Sequence, residues 1–242
     1  MKIIDGGVTA AKGFKAAGMH AGIKKGTKKD MAMIVSSAPC MAAGTFTTNL
    51  VKAAPVKWDQ HVVYEHGEAR AVVVNSGIAN ACTGAEGYGY CEETAKAAAE
   101  ALGIDKDEVL VASTGVIGKQ LPIDTIKKGV KDLSGLLLDT REAATLAAES
   151  IMTTDTVKKE VAVEVEIGGK TVTIGGMCKG SGMIHPNMCT MLSFLMTDAA
   201  ISKEMLQKAL SADVDDTYNM ISVDGDTSTN DTCLLYTSPS PR

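Results

Sequence analysis

Apolar and polar positions alternate with two different periods along the first two thirds of the chain. Apolar runs rich in β-branched residues, each bordered by turn residues, predict buried strands at 31–37, 69–77 and 107–113. Apolar residues at helical spacing predict helices at 55–66, 85–102, 122–137 and 139–152. Pro55 suits a first helical turn, Gly103 suits a helix end, and Asp139 or Thr140 is available as an N-cap. The strand, helix, strand order predicts an α/β fold.

The pattern changes in the last third of the chain. Apolar and polar residues alternate in 159–167 and 170–176, around Gly168-Gly169, which predicts a β-hairpin. An apolar run after Thr190 has the character of a buried strand, and a helix is expected from Ser202 to about Met220, before a turn and a last short strand. Because no internal repeat or long linker interrupts these elements, we expect one mixed α/β unit without a clear domain boundary.

Composition and charge exclude several classes of protein. With 242 residues, 45% of them hydrophobic and 22% charged, the chain has enough apolar material for a soluble globular core. A net charge of -5 argues against nucleic acid as the main partner, and no run has the length of a signal peptide or a membrane span. We therefore expect a cytoplasmic protein, or an organellar one if a transit segment is missing.

The six cysteines form no CxxC pair and no Cys/His cluster at zinc-ligand spacing, so reduced and mostly buried thiols are expected. His20, His61 and His66 lack partners at a useful spacing and are interpreted as surface residues without a role. The acidic stretch 224–231 lacks the Gly and Glu of a calcium loop and is interpreted as a solvated turn. Neither a metal nor an organic cofactor is expected.

Two glycine-rich loops follow predicted strands directly, at 75–84 and 113–118. Ligand sites in α/β sheets form beyond the carboxyl ends of strands, where loop backbone is free to meet a ligand. For either loop alone, a tight turn is the simpler interpretation. Neither loop fits the dinucleotide pattern GxGxxG, and the segment 175–182 lacks P-loop spacing, so a nucleotide site is unsupported.

The segment 179–198, KGSGMIHPNMCTMLSFLMTD, contains a different candidate for chemistry. If the peptide bond before Thr190 were cut, one residue would carry both a hydroxyl nucleophile and a free α-amine able to act as its base. Gly180, Gly182 and Pro186 would allow the preceding segment to bend, so that the hydroxyl of Thr190 meets the carbonyl of Cys189 for an N-to-O acyl shift. Since threonine before a strand is common, the pattern alone leaves self-cleavage as one hypothesis.

The same segment resembles the cleavage segment of the ornithine acetyltransferase family, the bifunctional glutamate and ornithine acetyltransferases of arginine biosynthesis. Further stretches resemble family segments in family order, at 6–24, 43–49, 75–84, 113–118, 150–156 and 222–232. The resemblance implies a layered mixed-sheet α/β sandwich of the ornithine acetyltransferase/DmpA-like type. It also implies an N-terminal-nucleophile-like site at the start of a central strand.

The resemblance further implies that the chain cleaves itself between Cys189 and Thr190, into an α-chain portion, 1–189, and a β-chain portion, 190–242. These portions would remain together in an α/β heterotetramer. Thr190 would then accept an acetyl group from N-acetylornithine as an acetyl-threonyl ester and pass it to glutamate, in ping-pong covalent catalysis. Acetyl-CoA is a further candidate acetyl donor.

Other site residues are also carried over from the family by motif. Thr114 and Gly115 correspond to its oxyanion-hole pair, which would donate hydrogen bonds to each tetrahedral intermediate. Lys179 and Thr153, preferred to Thr154, correspond to substrate contacts, together with Thr190 itself. A lysine cation suits the α-carboxylate of the substrate.

Three features depart from the family pattern. Cys189 replaces the usual alanine, which predicts slower cleavage without making Cys189 catalytic. Only residues 190–242 follow the cleavage site, so a substrate-binding Glu, an Asn and a Thr of the family's β chain have no counterpart. After Thr232 the sequence ends in CLLYTSPSPR, and residues 233–242 are candidates for a non-native tail on a truncated gene product.

Two alternative functions stay open from the sequence. The first is an amidohydrolase or aminopeptidase with the same N-terminal-nucleophile chemistry on a related fold. The second is a non-catalytic fragment of the acetyltransferase. The matches outside the cleavage segment favour the acetyltransferase family over the hydrolase, because a shared nucleophile alone does not account for them.

Overall fold

The computed structural model describes residues 1–185 and 191–238. Within these residues, nine strands form one mixed sheet: β1 (Lys2–Ile4), β2 (Phe14–Met19), β3 (Met31–Phe46), β4 (Glu68–Ile78), β5 (Val109–Val116), β6 (Lys159–Ile167), β7 (Lys170–Lys179), β8 (Leu192–Thr197) and β9 (Thr232–Thr237). The described part of the chain also has five α-helices: α1 (Ala54–His61), α2 (Gly84–Leu102), α3 (Ile123–Ser134), α4 (Arg141–Ser150) and α5 (Lys203–Asp216). The α/β class predicted from the sequence is confirmed.

The strand order of the sheet is β1-β6-β7-β8-β9-β3-β4-β5, with β2 paired to β3. The β4–β5 and β8–β9 pairs are parallel, and the other pairs are antiparallel. Strands from both sides of the predicted cleavage point therefore share one sheet, with β8 and β9 between β7 and β3. Residues 233–237, which sequence analysis assigned to a possible non-native tail, form most of β9 in the interior of the sheet.

Strand β3 is more than twice as long as the sequence predicted. The pattern predicts an end at residue 37, but the strand continues to Phe46, with a register shift between Val35 and Cys40. Pro39 lies within this irregularity, where the missing N–H of a proline removes no regular ladder bond. The first half of β3 pairs with β2 and β4, and its last six residues pair with β9.

The predicted hairpin and helix ends are largely confirmed. Gly168 and Gly169 both have positive φ angles, of 59° and 77°, as a two-residue hairpin turn requires. Gly103 ends α2 in the left-handed region, and the Thr140 hydroxyl caps α4 by accepting from the Ala143 N–H. The first predicted helix, 55–66, is not α-helical throughout: α1 ends at His61 and the chain continues as a π-helical turn to His66.

Helices cover both faces of the sheet. Alternate residues of β9 point to opposite faces: Leu234 and Tyr236 pack into the main core with α1 to α4, whereas Cys233 packs with α5. Helix α5 closes a smaller cluster through Leu206, Leu210 and Val214. The result is a layered arrangement of helices, sheet and helix, in agreement with the predicted sandwich.

No helix in residues 1–185 and 191–238 has the length and apolar character needed to cross a membrane. Cys40, Cys82, Cys91, Cys178 and Cys233 are free thiols, and three of these five are buried, as expected. Cys189 lies outside the described residues.

Two glycine-to-alanine substitutions should have opposite effects on stability, because one glycine lies where α4 packs closely on β2 and the other faces open space. A Cβ added at Gly18 would lie 2.1 Å from the Leu146 carbonyl oxygen, whereas at Gly89, within α2, it would meet nothing within 4 Å. We expect Gly18→Ala to lower the free energy of unfolding by about 1–3 kcal/mol through overpacking. Gly89→Ala should raise it by roughly 0.5–1 kcal/mol. Urea denaturation measures both, and equal midpoints for the two variants would contradict the packing described.

Candidate functional site

A cavity of about 600 Å³ opens at the carboxyl ends of β4 and β5. Ligand sites in sheets with parallel strands are expected at this end. The cavity is lined by Lys24, Lys25, Lys28, Gly77, Ala79, Thr114, Gly115, Val116, Ile117, Thr153, Thr154, Lys179, Gly182, Met183, Ser228, Thr229 and Asn230. Both glycine-rich loops singled out in the sequence therefore contribute to its wall.

The floor of the cavity is formed by two glycines paired across β4 and β5. Gly77 and Gly115 have φ angles of 116° and 131°, which side-chain-bearing residues rarely adopt. A Cβ added at Gly115 would lie 2.3 Å from the carbonyl carbon of Gly77. Only glycine fits at position 115, so the interpretation of this loop as an ordinary tight turn is insufficient. Thr114, directly before it, is buried and accepts a hydrogen bond from Lys179 Nζ at 3.3 Å.

Lys179 is a buried cation at the end of β7. It is 3% exposed, and burial lowers the pKa of its ammonium, an effect that nearby Asp155 and Asp231 partly offset. Burial also acts to raise the pKa of Asp155, but a hydrogen bond from Lys159 and backbone N–H groups keep that pKa below its ordinary value. Asp155 accepts from the N–H groups of Thr153 and Gly180, at 3.2 and 2.8 Å. One carboxylate thus joins the loop after α4 to the end of β7.

Lys24 is a second cation of the cavity, and the sequence analysis did not identify it. Four consecutive backbone N–H groups, from Ala21 to Lys24, donate to the buried carboxylate of Asp30. This nest of donors fixes the loop, and Lys24 Nζ donates to the carbonyl oxygens of Lys29 and Met152. Burial lowers the pKa of Lys24 to about 8. The one local indication in the sequence is Asp30, six residues after Lys24. The partners of this carboxylate are backbone N–H groups, which have no sequence pattern.

The stretch 224–231 is only partly the solvated turn predicted from the sequence. Residues 224–227 are exposed, but residues 228–231 are buried, and 228–230 line the cavity. The Asn230 amide donates to the carbonyl oxygens of Ala79 and Ser113, at 2.6 and 2.8 Å, which joins this stretch to β4 and β5. The alternation of acidic and hydroxyl residues in this stretch does not indicate these contacts, because carboxylate and amide groups of the stretch bind backbone groups that are distant in sequence.

Asp231 lies beside Asn230 and is fully buried. Its Oδ1 accepts a hydrogen bond from the N–H of Met191 at 2.9 Å, and the carbonyl oxygen of Met191 accepts from the Thr232 N–H. Among the described residues, no hydrogen-bond partner reaches its Oδ2. Burial raises the pKa of Asp231 to about 8, and the Met191 N–H, the Ser228 side chain and Lys179 act in the opposite direction. The carboxyl group therefore contacts the backbone one residue after Thr190.

Asp224, which is exposed, also accepts backbone hydrogen bonds, on the other side of the predicted cleavage point. Its two oxygens accept from the N–H groups of Met183 and Ile184, at 2.5 and 2.8 Å. The Met183 and Ile184 N–H groups keep the pKa of Asp224 below its ordinary range. The predicted cleavage residues Cys189 and Thr190 lie outside the described residues.

Four of the residues predicted from the sequence are brought together by the fold. Thr114, Gly115, Thr153 and Lys179 line one cavity, although they come from three separate segments. The alternative residue Thr154 lines it as well, and its hydroxyl lies 2.6 Å from that of Ser181. The described lining includes four lysines and no carboxylate, so the cavity suits a small ligand with a negative group.

Comparison with known proteins gives consistent matches. Residues 15–240 match the profile of the ArgJ family. The chain is 54% identical over 237 residues to the arginine biosynthesis bifunctional protein ArgJ of Symbiobacterium thermophilum, which covers 97% of this chain and 58% of that protein. It is 51% identical over 235 residues to the ArgJ of Gloeobacter violaceus, with 97% and 57% covered. The chain thus spans a little more than half the length of these relatives.

Solved structures of similar proteins also match the chain. The ArgJ of Bacillus halodurans superposes with a TM-score of 0.73 at 45% identity, covering 79% of this chain and 97% of that one. The ornithine acetyltransferase of Mycobacterium tuberculosis, in complex with ornithine, gives 0.71 at 41% identity, covering 79% and 99%. An L-aminopeptidase D-Ala-esterase/amidase of Ochrobactrum anthropi, described as a variant of the Ntn hydrolase fold, gives 0.52 at 14% identity, covering 98% and 75%. This last likeness concerns the fold alone.

The lowered pKa of Lys24 predicts that anion binding in the cavity depends on pH. As pH rises through about 8, Lys24 loses its proton and its positive charge. We expect the affinity for a small carboxylate, N-acetylglycine, to fall about two- to fivefold between pH 7 and pH 9, as a half-buried ion pair worth roughly 0.5–1 kcal/mol is lost. Calorimetric titration measures this affinity. Lys24→Met should reduce the pH dependence to the part that comes from Asp231, which ionises in the same range, and the exposed neighbour Lys25→Met should keep it in full, so an equal pH dependence in both variants would contradict the role of Lys24.

Proposed function

This chain belongs to the ArgJ family, and we propose that it is an acetyltransferase that moves an acetyl group from N-acetylornithine to glutamate after cutting its own chain between Cys189 and Thr190. One observation carries the proposal: Thr114, Gly115, Thr153 and Lys179 converge on one cavity. The chain spans less than two thirds of its curated relatives, so its activity, substrates and partners are all part of this proposal.

In the proposed maturation step, the hydroxyl oxygen of Thr190 attacks the carbonyl carbon of Cys189. The C–N bond breaks, the nitrogen of Thr190 gains a proton, and an ester joins the two residues. Water then hydrolyses the ester, leaving a carboxylate on Cys189 and a free α-amine beside a free hydroxyl on Thr190. Hydrogen bonds from Ile184 to Asp224 and from Met191 to Asp231 support the proposal, because they fix described backbone on both sides of the cleavage point.

In the proposed transfer, Thr190 attacks the acetyl carbonyl of N-acetylornithine. The amide C–N bond breaks, ornithine leaves with a protonated amine, and the acetyl group remains as an ester on Thr190. The amine of glutamate then attacks the ester carbonyl, the C–O bond breaks, and the proton returns to Thr190. Each tetrahedral intermediate needs donors at its oxygen, a role that we assign to the hydroxyl of Thr114 and the N–H of Gly115.

Substrate binding is assigned to Lys179 and Thr153, with Lys179 as the partner of the substrate carboxylate. The hydrogen bond from Lys179 to Thr114 supports this assignment, because it links the binding cation to the oxyanion donor. The proposed chemistry uses neither a metal nor an organic cofactor, and acetyl-CoA is a second candidate donor. A cytoplasmic location and an α/β heterotetramer belong to the same proposal.

Asp231 is an additional positioning residue in this proposal. It is buried, it accepts the N–H of Met191, and its second oxygen has no hydrogen-bond partner within residues 1–185 and 191–238. With a pKa of about 8, the carboxyl group changes charge near neutral pH. It does so in contact with Met191, the residue that follows Thr190. Its ionised form strengthens the hydrogen bond that orients the start of β8.

Self-cleavage is tested by intact mass spectrometry of the purified 25.2 kDa chain. We expect two fragments that separate between Cys189 and Thr190, and one uncut mass for Thr190→Ala, which lacks the nucleophile. Cys189→Ala restores the usual family residue and should cleave at least as fast as the parent. Fragments in the Thr190→Ala sample would show that another residue or a contaminating protease cuts the chain.

The cleaved protein is then assayed with N-acetylornithine, with and without glutamate. Formation of N-acetylglutamate supports the acetyltransferase. Release of acetate regardless of glutamate supports the amidohydrolase instead, and an uncut, inactive chain supports the non-catalytic fragment.

A pH profile of cleavage tests Asp231, with Asp59 as a matched control. Both carboxyl groups are fully buried, each accepts one backbone N–H, and each has an oxygen without a partner among the described residues. We expect the cleavage rate of the parent to rise through about pH 8, as Asp231 ionises, and the rate of Asp231→Asn to be lower and flat with pH. Asp59→Asn should cleave like the parent. The role fails if Asp231→Asn keeps the parent's pH profile.

Stability measurements separate this role from a general effect on folding. Burial raises the pKa of both carboxyl groups. The unfolded chain loses each proton near pH 4, but the folded chain keeps it to higher pH. Stability therefore falls with rising pH, over the window from about 4 to about 8 for Asp231. Each Asn substitution should remove its part of this fall, so both variants change stability in the same direction while only Asp231→Asn changes cleavage.

A further inference from the structure

Two histidines and an aspartate form a cluster far from the cavity. One ring nitrogen each of His61 and His66 and one carboxylate oxygen of Asp107 lie within 4.8 Å of one another. Asp107 precedes β5, whereas Thr114 lies near the other end of that strand, so the cluster and the cavity are separated by roughly 20 Å of extended chain. The spacing of residues along the chain predicts no role for the two histidines, because Asp107 is distant in sequence.

The π-helical turn explains why the two histidines meet. In a π-helix, backbone hydrogen bonds join residues five positions apart, the separation of His61 and His66. The N–H of Gly67 donates to the carbonyl oxygen of Val62, and Gly67, with a φ of 80°, ends the turn. The two imidazole rings lie edge to face, with centroids 5.4 Å apart. Single turns of this kind occur frequently at functional sites.

Asp107 is oriented by its own short turn. Asp105 accepts the N–H of Asp107 at 2.9 Å within a capping box, and Lys106 Nζ donates to Asp107 Oδ1 at 2.7 Å. The other oxygen, Oδ2, lies 3.8 Å from Nε2 of His66. The carboxylate therefore directs one oxygen to Lys106 and the other to the histidine.

Glu65 provides the outer contact that metal-ligating histidines usually have. Its Oε2 lies 2.8 Å from Nδ1 of His61. A carboxylate at one ring nitrogen fixes the orientation of the imidazole and increases the basicity of the other nitrogen as a ligand. The cluster thus contains two imidazoles, one carboxylate ligand and one supporting carboxylate.

We infer that His61, His66 and Asp107 bind a divalent transition-metal ion of the Zn²⁺ type, joining the π-helical turn to the start of β5. Two imidazole nitrogens and a carboxylate oxygen are ligands that Zn²⁺, Co²⁺ and Cu²⁺ accept, with water at the remaining positions. Zn–N and Zn–O distances of about 2.0–2.2 Å require the ligand atoms to approach by about 1 Å. Rotation of these partly exposed side chains, which are 24–43% accessible, permits that approach. The site is independent of the proposed function, and its role is to stabilise this edge of the fold.

The chain contains its own reporter for this site. Trp58 is the single tryptophan, and its ring centroid lies 6.2 Å from that of His61. A bound Co²⁺ ion, which is paramagnetic, should quench Trp58 fluorescence at close range. We expect one equivalent of Co²⁺ to quench the parent protein, and Zn²⁺ to prevent the quenching by competition.

His66→Ala and Asp107→Asn should each weaken Co²⁺ binding by about tenfold or more, since each removes one ligand. His20→Ala is the matched control, because His20 is also about one-third exposed and lies 3.2 Å from a carboxylate, that of Asp30. It should bind Co²⁺ like the parent. Zn²⁺ should also raise the melting temperature of the parent and of His20→Ala more than that of the two ligand variants.

Three results would overturn the site. The first is the absence of saturable quenching in the parent protein. The second is quenching of His66→Ala or Asp107→Asn at the Co²⁺ concentration that suffices for the parent. The third is a loss of affinity in His20→Ala equal to that of the ligand variants, which would indicate adventitious binding to surface histidines.

Discussion

The approach of Gly115 to Gly77 is the contact on which the cavity depends. The two strands that carry these glycines run parallel, and their backbones meet where any Cβ at position 115 would overlap the Gly77 carbonyl group. A side chain there would push the strand ends apart and move Thr114 away from Lys179. The geometry of the cavity floor therefore depends on the missing Cβ at position 115. The charged groups of the cavity surround a backbone arrangement that this contact determines.

Buried charge is balanced across segments that are far apart in the chain. Lys179 is surrounded by Asp155 and Asp231, which come from the loop after α4 and the stretch before β9. A buried ammonium costs considerable free energy unless carboxylates lie near it, so the folded state favours bringing these segments together. The same carboxylates bind backbone N–H groups of Gly180 and Met191, at the two ends of the stretch that contains the proposed cleavage site. Asp155, whose pKa is lowered, thus performs both charge compensation and backbone positioning, and Asp231 adds to the compensation only once it ionises near pH 8.

The central position of β9 connects the two halves of the molecule. It pairs in parallel with β8 and antiparallel with β3, and its side chains enter the cores on both faces of the sheet. The stretch before β9 must therefore pass the ends of β4 and β5, which brings Asn230 to the cavity. At its other end, β5 begins beside the cluster of His61, His66 and Asp107. Strand β5 thus has the candidate cavity at one end and the cluster of His61, His66 and Asp107 at the other.

By itself, the sequence determined the α/β class, most helix and strand positions, the hairpin at Gly168-Gly169 and the family. These features depend on local periodicity, turn residues and motif order, which can all be read from the sequence. Motif matching also selected Thr114, Gly115, Thr153 and Lys179, which the fold brings to one cavity. The local pattern did not predict the second half of β3, which continues beyond a register shift between Val35 and Cys40, nor did it indicate Lys24, Asn230 and Asp231. Their roles were decided only by the tertiary structure, because each depends on hydrogen bonds to backbone groups or on burial among segments distant in sequence. Backbone N–H and C=O groups are the same at every residue, so no local pattern indicates which side chain will meet them.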